Sequence, residues 1–206
     1  MSPSREPEAS DASLVAAARD GQVRALEQLL ERHEQKVLRV LRLLGVPAQD
    51  REDVAQEVFI RVFRHLKGFR AGQEFGAWLY RVTVNASHDY RSRRRRLSRG
   101  EAPLDEPEQR VDPDARADAP AEQGELRQAL ERALESLTER ERTIFVLREI
   151  EGLGSREVAR ALGITSITVR RHLSLARRRL RKALEGEAEV SAFPMDGVAP
   201  DGSGNP

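Results

Sequence analysis

Apolar residues recur every three or four positions along most of the chain, which is the spacing of one face of an α-helix. In the first half this pattern predicts four helices. Asp11 is the predicted N-cap of the first helix, and the second ends before Gly45. Asp50 is the predicted N-cap of the third, and the fourth runs from Phe75 into the stretch RSRRRR. No alternation of apolar and polar residues is long enough to predict a strand. The pattern therefore predicts an all-α fold.

The pattern breaks between residues 98 and 124, which contain four prolines and almost no large apolar residue. Such a composition predicts a flexible linker between two small helical domains. The predicted organisation is a disordered N-terminus at 1–10, a first domain at 11–97, the acidic linker at 98–124, a second domain at 125–185 and a disordered tail at 186–206. In the second domain, Thr138 and Glu141 fit a capping box that opens a helix.

The last two predicted helices, near 156–162 and 167–184, are separated by a turn at Gly163. The second of them has one apolar stripe, made of Val169, Leu173, Ala176, Leu180 and Leu184. Its arginines lie off this stripe. Two short helices with such a turn, the second one cationic, are typical of a helix-turn-helix, whose second helix enters the major groove. The alternative is a solvated amphipathic helix.

The charged residues are distributed unevenly along the chain. The net charge of the 206 residues is +1, yet residues 91–99 carry six arginines and no acid. Residues 100–124 have eight acids and two arginines, and residues 165–185 have seven basic residues against one glutamate. Blocks of one sign predict a polyanionic partner for the basic segments and a separate role for the acidic one.

The residue types that the chain lacks exclude some kinds of binding site. There is no cysteine, which excludes disulfides and thiolate metal sites. The four histidines (His33, His65, His88 and His172) share no metal-ligand spacing, so neither a metal nor a cofactor is expected. The start of the chain lacks the apolar core of a signal peptide, and no apolar run could span a membrane. The expected location is the cytoplasm.

Three segments in this order resemble the extracytoplasmic-function (ECF) sigma factors of the bacterial sigma-70 family. They are EDVAQEVFIRVFRHLKGF at 52–69, FGAWLYRVTVNASHDYRSRRRR at 75–96, and LESLTERERTIFVLREIEGLGSREVARALGITSITVRRHL at 134–173. The resemblance covers roughly residues 11–185 and implies two helical domains, sigma region 2 and sigma region 4. It further implies a factor that binds core RNA polymerase, recognises the −35 and −10 promoter elements and helps melt the DNA.

The resemblance also implies partners and the absence of catalysis. The partners would be bacterial core RNA polymerase, promoter DNA and an anti-sigma factor, with no small-molecule substrate. Polymerase would carry out the chemistry, so the chain is not expected to be an enzyme. The acidic linker would either occupy nucleic-acid-binding surfaces of the polymerase or serve as a soluble spacer.

The residues matched to each role are carried over position by position. Contacts with core polymerase are implied for Asp53, Gln56, Glu57, Phe59 and Arg61. Contacts with the −10 element are implied for Phe69, Arg70, Gln73, Arg81, Asn85, Asp89, Arg91, Arg93 and Arg94. Contacts with the −35 element are implied for Ser166, Thr168, Arg170, Arg171, His172, Ser174 and Arg177.

The chain departs from the family pattern at the helix-turn-helix. The family often has a serine or threonine cap at Gly154 and an aromatic residue at Ser155. It commonly has glycine near Ile167 and a basic residue at Leu175. These differences mean that the usual −35 preference cannot be assumed, and Arg171 is a candidate to replace the basic residue at Leu175.

Periodicity alone favours a core position for several of the apolar residues in the first domain. Phe59, Phe63, Leu79 and Val82 are predicted to be core residues. Trp78 is also predicted to be core, with base stacking as the alternative.

Two other function classes remain as alternatives. An ordinary DNA-binding regulator would use the first domain for an effector or for dimerisation, but this leaves the basic block at 91–99 unexplained. An enzyme such as a recombinase would need a nucleophile with a nearby base, a phosphate loop or a metal cluster, and the sequence offers no such motif.

Overall fold

The computed structural model describes residues 9–69, 74–99 and 129–191. Within these ranges the secondary structure is helical and no strand occurs, so the all-α prediction is confirmed. The first unit contains α1 (Asp11–Arg19), α2 (Val23–Leu43), α3 (Ala48–His65) and α4 (Phe75–Ser98), with a 3₁₀ turn at Leu66–Gly68. The second contains α5 (129–135), α6 (Glu139–Phe145), α7 (Ser155–Leu162) and α8 (Ser166–Ser191), with a π-helical turn at Val146–Ile150.

The four helices of the first unit surround one apolar core. Leu29 and Leu41 of α2, Val58 and Val62 of α3, and Leu79 of α4 are 0–1% exposed and belong to the same buried cluster. These residues recur at helical spacing, so one face of each helix is excluded from water. None of the helices in the described ranges is long and apolar enough to cross a membrane.

Two helix starts differ from the prediction because tertiary contacts take the predicted capping carboxylates. Ser10, not Asp11, caps α1, and the Asp11 carboxylate instead lies 2.7 Å from the Nη1 atom of Arg32. Asp50 lies in the first turn of α3, which Pro47 precedes, and accepts a 2.5 Å hydrogen bond from the Tyr90 hydroxyl.

The predicted capping box of the second unit is confirmed. The Thr138 amide donates to Glu141 Oε2 at 3.0 Å, and the Glu141 amide donates to Thr138 Oγ1 at 3.4 Å. At the start of α7, Gly154 has no side chain to act as a cap. Its amide donates to Glu157 Oε2 at 2.5 Å, so one half of such a box remains.

Helices α7 and α8 form the predicted helix-turn-helix. Gly163 joins them with a left-handed φ of 65°, a conformation that glycine adopts without steric cost. The apolar stripe of α8 is buried at Val169, Leu173, Ala176 and Leu180. The stripe ends sooner than predicted, because Leu184 is 47% exposed, whereas the helix continues past Leu184 to Ser191.

The two units share a second apolar core. Four buried residues of the first unit belong to the same cluster as the core of the second unit: Val40, Leu43, Leu44 and Val84. Their neighbours in that cluster include Leu134, Ile144, Leu147 and Val158, all of which are fully buried. Separation of the units would expose this apolar surface, so its burial favours their association.

Polar contacts join the units beside this core. Glu151 of the second unit accepts hydrogen bonds from Arg39 Nη2 at 2.8 Å, from Arg39 Nε at 3.1 Å and from the Tyr80 hydroxyl at 2.5 Å. Its side chain is only 1% exposed. Burial raises the pKa of Tyr80, and the hydrogen bond to Glu151 adds to this effect. Arg42 lies 2.9 Å from Glu131 on the same side.

Truncation of Leu44 tests the shared core. The Leu44→Ala variant removes a fully buried side chain and should lower the free energy of unfolding by about 2–5 kcal/mol. Urea unfolding followed by circular dichroism measures this change. The matched control is Val23→Ala, since Val23 is 67% exposed and its truncation should change stability little. Equal unfolding midpoints for the two variants would contradict the described core.

Candidate polymerase and nucleic-acid interfaces

The outward face of α3 carries two of the residues matched to polymerase binding. Asp53 and Gln56 are exposed, and the same face continues through Ile60 and Phe63, because these four positions follow a helical spacing of three and four. Ile60 is 37% exposed and Phe63 is 67% exposed. The prediction that Phe63 is a core residue is therefore wrong. The face therefore combines polar side chains with the apolar Ile60 and Phe63, and periodicity does not identify this exposed apolar group.

The other matched residues of α3 are less accessible. Phe59 is half-buried and packs against the core of the first unit, as its periodicity predicts. Arg61 donates to Glu57 at 2.8 Å and to Asp89 of α4 at 2.7 Å. Burial opposes ionisation of Arg61, but these two hydrogen bonds outweigh it and raise its pKa. Arg61 thus links the two helices that the sequence analysis assigned to polymerase and to DNA.

An aromatic cluster lies where α3 leads into α4. Phe69 and Phe75 are buried, and the half-buried Trp78 packs between them, with ring centroids 5.2 and 5.7 Å away. The core position predicted for Trp78 is confirmed, as are those of Leu79 and Val82. The ring of Phe69, matched to the −10 element, faces this cluster. Two further matched residues, Arg70 and Gln73, lie outside the described residues.

The outward face of α4 brings together four of the residues matched to the −10 element. Arg81, Asn85, Asp89 and Arg93 are exposed and recur every four positions, which gives one polar stripe along the helix. The opposite face is buried and consists of Thr83, Val84, Ala86 and Ser87. Arg94 is also exposed, and its guanidinium donates to the Tyr90 hydroxyl at 2.7 Å.

A third side of α4 faces the second unit. The carboxylate of Glu139 lies 3.0 Å from His88 Nδ1, 3.3 Å from Arg91 Nη2 and 3.6 Å from Arg95 Nη1. Burial lowers the pKa of both His88 and Arg91, and the nearby carboxylate of Glu139 opposes this effect. Arg91 also donates to the carbonyl oxygen of Leu44 at 3.1 Å. Arg91 therefore points at protein in this arrangement, unlike Arg81 or Arg93.

Helix α8 exposes a polar and cationic face opposite its buried stripe. Arg170, Arg171 and Ser174 of the residues matched to the −35 element are exposed on this face. Ser166, Thr168 and His172 are half-buried, and the Thr168 amide donates to Thr165 Oγ1 at 3.1 Å, so Thr165 caps the helix.

Two positions of α8 face other parts of the second unit. Arg177 is exposed, and its guanidinium donates to Glu149 at 2.9 Å. Leu175, where the family commonly has a basic residue, is half-buried. Exposed cations one turn earlier, at Arg170 and Arg171, offer the positive charge that Leu175 lacks.

The described ranges contain no group of three or more His, Asp or Glu residues that could bind a metal ion. What the faces of α3, α4 and α8 offer is recognition surface: exposed guanidinium groups for phosphates, amide and hydroxyl groups for base edges, and one apolar patch for a protein partner.

Comparison with known proteins identifies the family of the chain. Residues 29–97 match Sigma-70 region 2, and residues 127–180 match Sigma-70, region 4. The chain is 33% identical to the ECF RNA polymerase sigma factor SigM of Mycobacterium tuberculosis, over 86% of each chain. It is also 33% identical to the ECF RNA polymerase sigma-E factor of Escherichia coli, over 82% of this chain and 91% of the other.

A solved structure shares the fold. The structure of CnrH in complex with the cytosolic domain of CnrY superposes with a TM-score of 0.64 and 27% identity. The match covers 86% of this chain and 98% of CnrH, so it includes both helical units. By both sequence and fold, the chain belongs to the sigma-70 family as an ECF RNA polymerase sigma factor, which acts in promoter-specific transcription initiation.

Proposed function

We propose that this sigma factor binds core RNA polymerase through the outward face of α3, holds the −10 element along α4 and reads the −35 element with α8. The observation that carries this assignment is the exposure of matched residues on all three helices, each opposite a buried face. Asp53 of α3, Asn85 of α4 and Arg170 of α8 are examples. A helix whose inner face is core can present its outer face to a partner without unfolding.

The chemistry of the partners agrees with this assignment. DNA phosphates attract exposed guanidinium groups, and displacement of counterions makes such binding dependent on salt. A displaced single strand also needs a cationic surface to hold it, which the outward arginines of α4 supply. Polymerase forms the phosphodiester bonds, so the chain acts without catalysis of its own, in the cytoplasm where polymerase and promoter meet.

Promoter binding requires the two units to move apart. The −10 and −35 elements are centred about 25 base pairs apart, which is roughly 85 Å along B-form DNA at 3.4 Å per base pair. A compact protein of this length spans only about 45 Å. Residues 100–128 have a maximal reach of roughly 100 Å, because an extended residue adds at most about 3.5 Å. The described arrangement is therefore a closed state that opens on polymerase.

A protein that stabilises the closed state would inhibit transcription. CnrH was solved with the cytosolic domain of CnrY, and the sigma factor RpoE of Bartonella quintana was solved with the anti-sigma factor NepR. We propose an anti-sigma factor of this kind as a third partner, alongside core polymerase and promoter DNA.

Selection from a promoter library tests the proposed function directly. The purified chain is mixed with bacterial core polymerase and templates randomised upstream of a reporter, and the transcripts are sequenced. We expect transcripts that start at a fixed distance from two enriched motifs. Salt-sensitive binding to duplex DNA without polymerase, together with no chain-dependent transcript, would instead favour an ordinary DNA-binding regulator.

Truncation of Phe63 tests the polymerase face. Because Phe63 is 67% exposed, Phe63→Ala should leave the thermal midpoint unchanged. Burial of an aromatic anchor in an interface is worth roughly 1–2 kcal/mol or more, so affinity for core polymerase should fall about tenfold. Titration of labelled chain with core polymerase measures the affinity. Val23→Ala, with equal exposure on α2, should bind as the wild type does. An unchanged affinity for the Phe63 variant would refute this face.

Neutralisation of Glu139 tests whether the closed state competes with DNA. The Glu139 carboxylate faces His88 and two cationic groups of α4, Arg91 and Arg95, and exposed ion pairs are worth about 0.2–1 kcal/mol each. The Glu139→Gln variant should therefore bind a single-stranded −10 oligonucleotide about two- to fivefold more tightly at low salt. Fluorescence anisotropy measures this affinity. Glu34→Gln changes net charge equally at an exposed site on α2, and an equal gain in that control would contradict the competition.

A further inference from the structure

Ile167 is the most exposed large apolar side chain of the described residues, at 71%. It is the second residue of α8 and lies at the N-terminal end of the outward face that continues through Arg170, Arg171 and Ser174. The apolar stripe that packs into the core lies on the other side of the helix, where Val169 and Leu173 are buried. Ile167 therefore makes no contribution to that core.

Local helix stability does not explain an isoleucine at this position. A β-branched residue is slightly unfavourable in a helix compared with alanine or a straight-chain residue. The start of α8 is already stabilised by Thr165, whose Oγ1 atom accepts from the Thr168 amide at 3.1 Å.

The position of Ile167 on the helix indicates what it contacts. In a helix-turn-helix, the N-terminal residues of the second helix lie at base edges in the major groove. Among the four bases only thymine presents a methyl group there, and apolar side chains recognise it by contact. The neighbouring hydroxyl of Thr168 lies 2.9 Å from Thr165 Oγ1, so it already has a partner within the chain. Ile167 is the exposed apolar side chain at this end of the helix.

We propose that Ile167 determines part of the −35 specificity by contacting the 5-methyl group of a thymine in the major groove. The proposal rests on the assignment of α8 to the −35 element, and it names one of the bases that α8 recognises. Arg170 and Arg171, one turn further along the same face, supply guanidinium groups for phosphates or guanine edges beside this contact. In this proposal, Ile167 at the thymine methyl group and the two arginines beside it form one end of the DNA-binding site.

Replacement of thymine by deoxyuridine tests the proposal, because it removes only the methyl group. Each thymine on either strand of the selected −35 element is replaced in turn, and holoenzyme transcription is measured in competition with the unmodified template. For the wild type we expect one replacement to reduce transcription about fourfold, the ratio that corresponds to losing one buried methyl contact. Ile167→Ala should reduce transcription from the unmodified template by a similar factor and should be indifferent to that replacement.

Controls separate this contact from other effects. Ile167→Val keeps the branched side chain and should retain part of the preference for thymine, while Val23→Ala should retain all of it. The proposal is overturned if the selected element contains no thymine, if no replacement affects the wild type, or if Ile167→Ala still discriminates against deoxyuridine. A scrambled −35 element that leaves transcription unchanged would instead overturn the assignment of α8 on which the proposal rests.

Discussion

The hydrogen bonds of Glu151 fix how the two units of this sigma factor sit together. Its carboxylate comes from the second unit, is almost fully buried, and is held by Arg39 and Tyr80 of the first unit. Loss of these partners would leave the buried Glu151 carboxylate unpaired, which is costly, so the hydrogen bonds favour this relative placement of the units. The apolar contact around Leu44 supplies the attraction, and the Glu151 contacts set the register. The proposed promoter binding requires this association to be reversible.

Reversibility matters because α4 serves two purposes on different sides. Val84 lies in the core shared by the units, whereas Arg81 and Asn85 remain exposed whether or not the second unit is bound. The cations near the C-terminal end of α4 are different, because Glu139 lies against Arg91 and Arg95 in the closed state. In the proposed complex with DNA, a phosphate would replace that carboxylate as their partner only after the second unit leaves. The proposed opening would therefore exchange buried apolar surface and ion pairs for contacts with polymerase and DNA.

Much of the fold and part of the site follow from the sequence. Helical periodicity identifies Val58, Val62 and Val169 as core residues, because a repeat of three or four positions marks a single face. The same rule fails at Phe63 and Leu184, since periodicity cannot show where the neighbouring helix ends. Residue type alone also fails to identify the cap of α1, because the Asp11 carboxylate contacts Arg32 and the buried His33 of the next helix. Contact between the units was not predictable, because Leu43 and Leu44 look like ordinary core residues of α2 and Arg39 is far from Glu151 in sequence.

Within the first unit, an ion-pair network joins α3 to α4. Arg61 of α3 donates to Glu57 of the same helix and to Asp89 of α4, so its guanidinium lies between two carboxylates. Arg61 is partly buried, and because its guanidinium bonds both carboxylates, these contacts favour one placement of α3 against α4. If polymerase binds α3 as proposed, this contact would fix the orientation in which α4 meets the melted strand. The second unit is joined to α2 and α4 by the shared apolar core and by the contacts of Glu151 and Glu139, and in the proposed function it is the part of the molecule that moves to the upstream element.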